Sequence, residues 1–183
     1  MNIGLFFGTF NPIHNGHTHI SKEVLNSKRV NEIWLIVSPQ TLFKKSSIIL
    51  DKNIRINMVN NAVKNLKNIY SSSIEFELEK PNYTVNTLNF LSSNYSENNF
   101  KIIIGEDNLE SFDTWKDSDF IKKKYELIVY PRRKKEISKE LFDGELIKIS
   151  STDIRKKIKN KESINNLVPE NVEKEILKNG YYS

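Results

Sequence analysis

The sequence predicts an α/β fold: a doubly wound, mainly parallel sheet with helices on both faces. Three observations lead there. Apolar runs rich in Ile, Val, Leu and Phe alternate along the chain with segments of helical period. Several of these runs lack a polar phase, as strands covered on both faces do. Gly, Pro and Ser stand where the runs stop, and in open α/β sheets the carboxyl ends of strands are where ligands bind.

The first strand covers 2–8 (NIGLFFG) and ends at Gly8, and a loop leads to a helix from about His17 to Ser27. EIWLIVS (32–38) is the second strand, ended by Pro39, with a polar loop containing Lys44 and Lys45 after it. Asp51 to about Lys67 reads as a helix with Ile54, Met58, Ala62 and Leu66 on one face. IEFELE (74–79) alternates as a half-buried strand, Pro81–Thr87 is a loop, and Thr87–Tyr95 is a short helix. FKIII (100–104) is a buried strand ending at Gly105, and helical pattern resumes near Phe112–Lys123. ELIVY (126–130) is stopped by Pro131, ELIKI (145–149) is a further short strand, and helices near 152–160 and 169–179 follow.

A length of 183 residues fits one domain, 1–183, and the balance of 38% hydrophobic and 28% charged residues is that of an ordinary globular protein. The chain has no cysteine, which excludes disulfides, thiolate metal sites and cysteine nucleophiles and fits a reducing cytoplasm. No charged n-region or cleavage site accompanies the apolar start, and no apolar run approaches the roughly 20 residues that span a bilayer. The formal net charge of +5 raises the alternative of a basic nucleic-acid-binding module. Lys and Asn are spread through the whole chain, however, so runs such as Arg132-Arg133-Lys134-Lys135 read as solvated surface.

Familiar nucleotide signatures are missing: there is no G-x-x-x-x-G-K-[ST] and no G-x-G-x-x-G, nor the H-E-x-x-H of zinc hydrolases. The candidate chemistry lies elsewhere. In "GTFNPIHNGH" (8–17), Gly8 permits a tight exit from strand one, and His14 and His17 stand at i and i+3 around a helix start. Free N–H groups and the positive dipole end lie there, so two imidazoles beside them suit phosphate, and Gly16 permits close approach. Either histidine alone would read as a cap or a surface residue. In "ISSTDIR" (149–155), Ser150, Ser151 and Thr152 cap a helix, and Arg155 follows one turn in, where a guanidinium can clamp phosphate oxygens. Taken by itself this is also the pattern of a plain capped helix.

Together the two stretches resemble the T/H-x-G-H and I-S-S-T-x-I-R signatures of the nucleotidyltransferase superfamily, with its Rossmann-like fold. "PNYTVNTL" (81–88), "GEDNLESFDTW" (105–115) and "LVPENVEKEILKNGYY" (167–182) resemble the nicotinate-nucleotide adenylyltransferase branch, in the right order over nearly the whole chain. The resemblance implies transfer of an adenylyl group from ATP to nicotinate mononucleotide, giving nicotinate adenine dinucleotide and pyrophosphate, with Mg²⁺ accompanying ATP and no dedicated protein metal site. Other acceptors on the same fold, nicotinamide mononucleotide or phosphopantetheine, are the nearest alternatives.

The resemblance assigns His14, His17 and Arg155 to catalysis at the ATP phosphates. It assigns Gly8, Thr9, Phe10, Gly16, Gly105, Asp107, Ser150, Ser151 and Thr152 to ATP binding. Lys44, Tyr83, Thr84 and Trp115 are the residues it gives to the mononucleotide, with the two aromatics flanking the pyridine ring. Asn11 and Asn86 stand where many relatives carry Asp, and neither is given a catalytic role.

Overall fold

The computed structural model describes residues 1–39, 49–131 and 142–183. Five parallel strands, β1 (Asn2–Gly8), β2 (Glu32–Val37), β3 (Ile69–Ser72), β4 (Asn99–Gly105) and β5 (Glu126–Tyr130), form one sheet in the order β3-β2-β1-β4-β5. The order reverses at β1, whose neighbours are β2 (Ile3 opposite Glu32 through Gly8 opposite Val37) and β4 (Asn2 opposite Asn99 through Phe6 opposite Ile103). Among the described residues seven α-helices accompany it: α1 (Asn15–Asn26), α2 (Lys52–Val63), α3 (Thr84–Asn94), α4 (Glu106–Glu110), α5 (Ser118–Lys124), α6 (Ser151–Lys159) and α7 (Glu170–Asn179).

The central parts of β1, β2, β4 and β5 are apolar because both faces are covered. Phe6 of β1 and Ile103 of β4 join Ile20, Val24, Met58, Val59, Ile154, Val172 and Ile176 on one side. Ile3, Leu5, Ile102 and Ile104 join Val85, Leu88, Leu91 and Ile121 on the other. Each such side chain, fully buried, contributes about 1.5–3 kcal/mol of transfer free energy, so the two clusters hold α1, α2, α6 and α7 to one face and α3 and α5 to the other.

Several expectations need correction. IEFELE is not a strand. The edge strand comes earlier, at Ile69–Ser72, where Ile69 lies opposite Ile33, and Ile74–Phe76 form a 3₁₀ turn. Glu75 turns inward there, 2% exposed, and accepts a hydrogen bond from the Thr87 hydroxyl at 2.9 Å, which draws the segment off the sheet edge. ELIKI has no strand ladder either. Side chains tether it: Tyr130 Oη donates to the carbonyl of Glu145 at 2.9 Å, and Ile147 lies against Gly16.

The helix expected over Phe112–Lys123 is divided between a 3₁₀ turn at Phe112–Thr114 and α5, with α4 standing before it, and the left-handed backbone of Asp117 (φ 53) redirects the chain before α5. α1 starts at Asn15 rather than His17, and α3 at Thr84 rather than Thr87, because the preceding residues have the extended backbone of an N-cap.

Helix α2 is rotated by about one residue from its expected face: its buried residues are Arg55, Met58, Val59 and Val63. The cause is Arg55, which has none of its surface exposed. Its guanidinium donates to four backbone carbonyls: Leu50 at 2.8 Å, Thr9 at 2.6 Å, Ser38 at 2.7 Å and Pro39 at 2.9 Å. Thr9 follows β1 and Ser38 follows β2, so one side chain ties the carboxyl ends of two adjacent strands to α2. Burial pulls the Arg55 pKa down, opposed by the nearby Tyr182 and Asp51 oxygens.

Arg55→Met keeps the bulk and removes every donor. Orphaned buried acceptors cost about 1–3 kcal/mol each, so the variant is expected to lose about 3 kcal/mol or more of unfolding free energy in urea titration. A wild-type midpoint and slope would show that water satisfies these carbonyls equally well.

Candidate active site

The point where the strand order reverses is the crevice between the carboxyl ends of β1 and β4, the position open α/β sheets use for ligands. A cleft of about 230 Å³ opens there. It is lined by Phe6 to Asn11, His14, His17, Gly105, Asp107 and Asn108, and by Ser150, Ser151, Thr152 and Arg155, together with Ile20 and Ile49. The two stretches singled out in the sequence therefore meet, although more than 130 residues of chain separate them.

His14 is the N-cap of α1. Its backbone N–H donates to Nδ1 of His17 at 3.2 Å, so the proton of a neutral His17 ring is on Nε2, the nitrogen that can then donate. The two imidazoles stack with centroids 3.6 Å apart. Phe10 meets His17 edge-on at 4.9 Å and Phe6 meets it at 5.8 Å, so the ring is held on several sides. Phe10 achieves this from a left-handed backbone (φ 45), a strained choice for a bulky residue. Gly16 is needed for close packing: a Cβ there would come within 3.0 Å of the His14 ring and 2.9 Å of Ile147. In this structure Gly16 makes room for His14 itself rather than for a ligand.

The second stretch is bonded to the first. Ser150 caps α6, accepting from the N–H of Asp153 at 3.1 Å. Ser151 Oγ donates to the Pro12 carbonyl at 2.9 Å. Arg155 donates through Nη1 to the Asn11 carbonyl at 2.6 Å and through Nη2 to Thr152 Oγ1 at 3.3 Å. A guanidinium has five N–H groups, so this anchoring leaves donors for a ligand. Imidazoles, a guanidinium and hydroxyls, placed beside the starts of two helices, form a donor set for anionic oxygens. Asp107 is the one carboxylate among the described lining residues.

Tyr83, Thr84 and Trp115, expected at the mononucleotide, do not line this cleft. Tyr83 precedes α3, with the Lys116 ammonium 4.8 Å from its ring centre. Trp115 stacks on Phe112 at 4.8 Å and, with Val85 and Asn89, lines a second, more open cavity of about 640 Å³. Both aromatics pack against the same apolar cluster. Thr84 opens α3, where the N–H groups of Asn86 and Thr87 donate to the Tyr83 carbonyl at 2.9 and 3.4 Å and those of Thr84 and Val85 precede them. Lys44, with Lys45, lies outside the described residues.

Sequence reasoning missed Arg55 and Glu75. A charged residue at helical spacing from Met58 and Val59 was the available signal for Arg55. Nothing local marks Glu75, which binds Thr87, while Asn82 Nδ2 donates to the Glu75 carbonyl at 2.9 Å. These bonds fix the loop that carries Tyr83 and Thr84.

Comparison with known proteins gives a consistent result. The cytidylyltransferase-like family matches residues 5–157. A Cytophaga hutchinsonii protein named "probable nicotinate-nucleotide adenylyltransferase" is 43% identical over 100% of this chain and 99% of its own length. A Christiangramia forsetii protein of the same name is 42% identical over 98% and 97%. Among solved structures, Plasmodium falciparum nicotinic acid mononucleotide adenylyltransferase complexed with NaAD superposes with a TM-score of 0.83 at 18% identity, covering 99% of this chain and 97% of that one. At that identity the likeness is one of fold.

Burial raises the Glu75 pKa against the opposing pull of the Ser38 and Thr87 hydroxyls. The folded chain then keeps this proton to a higher pH than the unfolded chain does, so it binds more protons between the two pKa values. Unfolding free energy accordingly falls as pH rises through that window. Glu75→Gln removes the titration. The stability of the Gln variant relative to wild type should rise as pH is raised above the ordinary glutamate range in urea unfolding, and a constant difference would exclude Glu75 as the titrating group.

Proposed function

This chain belongs to the nicotinate-nucleotide adenylyltransferases of the cytidylyltransferase-like family, and from that premise we propose how its cleft serves adenylyl transfer from ATP to nicotinate mononucleotide. The observation that carries the reading is the union of the two histidines of the first loop with the Ser151–Arg155 helix start, through Ser151 to Pro12 and Arg155 to Asn11. That union gathers donors for a polyphosphate around a strand-order switch.

The reaction needs little covalent chemistry from the protein. The nucleophile is the 5′-phosphate of the mononucleotide, largely ionised at pH 7 since its second pKa is near 6. One of its oxygens bonds to the α-phosphorus of ATP as the bond from that phosphorus to the bridging oxygen breaks. The electron pair leaves with pyrophosphate. No general base and no covalent enzyme intermediate are required, so catalysis is positioning and charge stabilisation. In this reading His17 Nε2–H donates to the oxygens of the reacting phosphorus. His14 and Arg155 take the other phosphates, and the Ser151–Thr152 helix start receives the leaving pyrophosphate.

Gly8, Thr9, Phe10 and Gly105 form the cleft floor. The held tautomer of His17 supports its assignment, because a preorganised donor needs no reorientation as charge develops.

Among the described residues no three His, Asp or Glu side chains gather as a metal cage. The phosphate-directed donor set with one carboxylate, Asp107, suits a Mg²⁺ that arrives on ATP and keeps most of its waters. Mg²⁺ supplies neutralisation of phosphate charge, and Asp107 is the residue that would face it. No helix among the described residues is long and apolar enough to cross a membrane. A cytoplasmic location belongs to the same proposal.

For the acceptor, Tyr83 and Trp115 supply aromatic faces for a cationic pyridine ring, and the N–H groups opening α3 at Thr84 suit its carboxylate. Lys44 is retained as a candidate phosphate contact.

Pyrophosphate release from ATP, measured with a panel of acceptors, tests the reading, and release with phosphopantetheine alone would overturn it. His17→Ala is expected to lower kcat by about 100-fold or more, with the KM for nicotinate mononucleotide nearly unchanged. A kcat within a few-fold of wild type would remove His17 from the transition state.

The acid form should be preferred over nicotinamide mononucleotide by roughly ten- to several-hundred-fold in kcat/KM, because a carboxamide turns its NH₂ toward a backbone donor and orphans it. Equal values would indicate a dual-specificity enzyme.

A further inference from the structure

Tyr182 lies far from the phosphate cleft in sequence and does not line it, yet it is bonded to the loop that does. Its hydroxyl donates to Asn11 Oδ1 at 2.9 Å, across 171 residues of chain. The same Oδ1 accepts the N–H of Leu50 at 3.2 Å, and the Asn11 carbonyl accepts Arg155 at 2.6 Å. Asn11 is 3% exposed, so these bonds are made out of water, where each is electrostatically stronger. The Tyr182 ring packs against the core cluster that contains Val172 and Ile176 of α7. Its hydroxyl feels the positive charge of both Arg155 and Arg55.

Asn11 thus receives the end of the chain, the segment before α2 and helix α6, and it sits between Phe10, which buttresses His17, and His14.

We propose that Tyr182 is a positioning residue: acting through Asn11, its hydroxyl sets the loop that carries His14 and His17 and the guanidinium of Arg155 against the phosphates of ATP. This rests on the adenylyl-transfer reading above. A phenylalanine would fill the same space and leave Asn11 Oδ1 short of one donor, so the loop loses a constraint while the core stays filled. Small displacements of groups around a reacting phosphorus are costly to rate. Acceptor binding, which in that reading depends on Tyr83, Thr84 and Trp115, is untouched.

The test is steady-state kinetics on the full chain with Tyr182→Phe, alone and combined with Asn11→Ala and with Asn11→Asp. Tyr182→Phe is expected to lower kcat by about tenfold, with the KM for nicotinate mononucleotide held within about twofold. With Asn11→Ala the same change should have no further effect, because the acceptor of the hydroxyl is gone. With Asn11→Asp it should cost more than in wild type, because the hydrogen bond then lost is charge-assisted.

Asn11→Asp preserves size and acceptor, so this arm remains if the Ala variant does not fold. Wild-type kcat in Tyr182→Phe, or an equal loss in all three backgrounds, would overturn the proposal and leave Tyr182 a packing residue. Failure of the wild-type chain to release pyrophosphate would instead reject the reading on which the proposal rests.

Discussion

Arg55 is buried completely and has four carbonyls for company. An ion in such a place is tolerated only where the surrounding dipoles converge on it, and here they are the backbone of the very turns that leave β1 and β2. The rest of the site depends on this. Parallel strands place all their carboxyl ends on one edge of the sheet, so the loops leaving them must be fixed by something outside the ladder. Arg55 fixes the first two, and Arg155 fixes the first again from the opposite direction through Asn11. The loop with both histidines is held between two guanidiniums, each spending donors on main-chain oxygen. Main-chain acceptors of this kind persist through changes in side-chain identity.

Four of the five strands were legible in the sequence because β1, β2, β4 and β5 are apolar on both faces, a signal each carries in itself. The edge strand was not. IYSS is short and half polar, having only β2 as neighbour, whereas IEFELE has the right period and lies just beyond it. What decides between them is the bond from Thr87 to Glu75, twelve residues away, which period-two alternation cannot register. The division of Phe112–Lys123 into two pieces likewise turns on one backbone conformation at Asp117.

The same distinction applies to the site. His14, His17, Ser150, Ser151, Thr152 and Arg155 were legible because helix starts impose local spacings on the residues that use them. The meeting of the two stretches was legible only as a resemblance, and the structure supplies its physical form in the Ser151–Pro12 and Arg155–Asn11 bonds. Arg55 and Glu75 act through partners far along the chain, so in sequence they look like an ordinary surface arginine and an ordinary strand glutamate. Gly16 was singled out for close approach, and the structure shows the His14 ring among the groups that come close to it.

Phe10 has a consequence for how this loop can vary. Its left-handed backbone stores strain of about 1–3 kcal/mol, and its ring is what meets His17 edge-on. Glycine at this position would relax the backbone and withdraw the ring together, and the burial lost with a ring that is 2% exposed, about 3–5 kcal/mol, exceeds the strain relieved. Durability and the hold on His17 therefore ask for the same aromatic, and the bent backbone is what both tolerate to keep it.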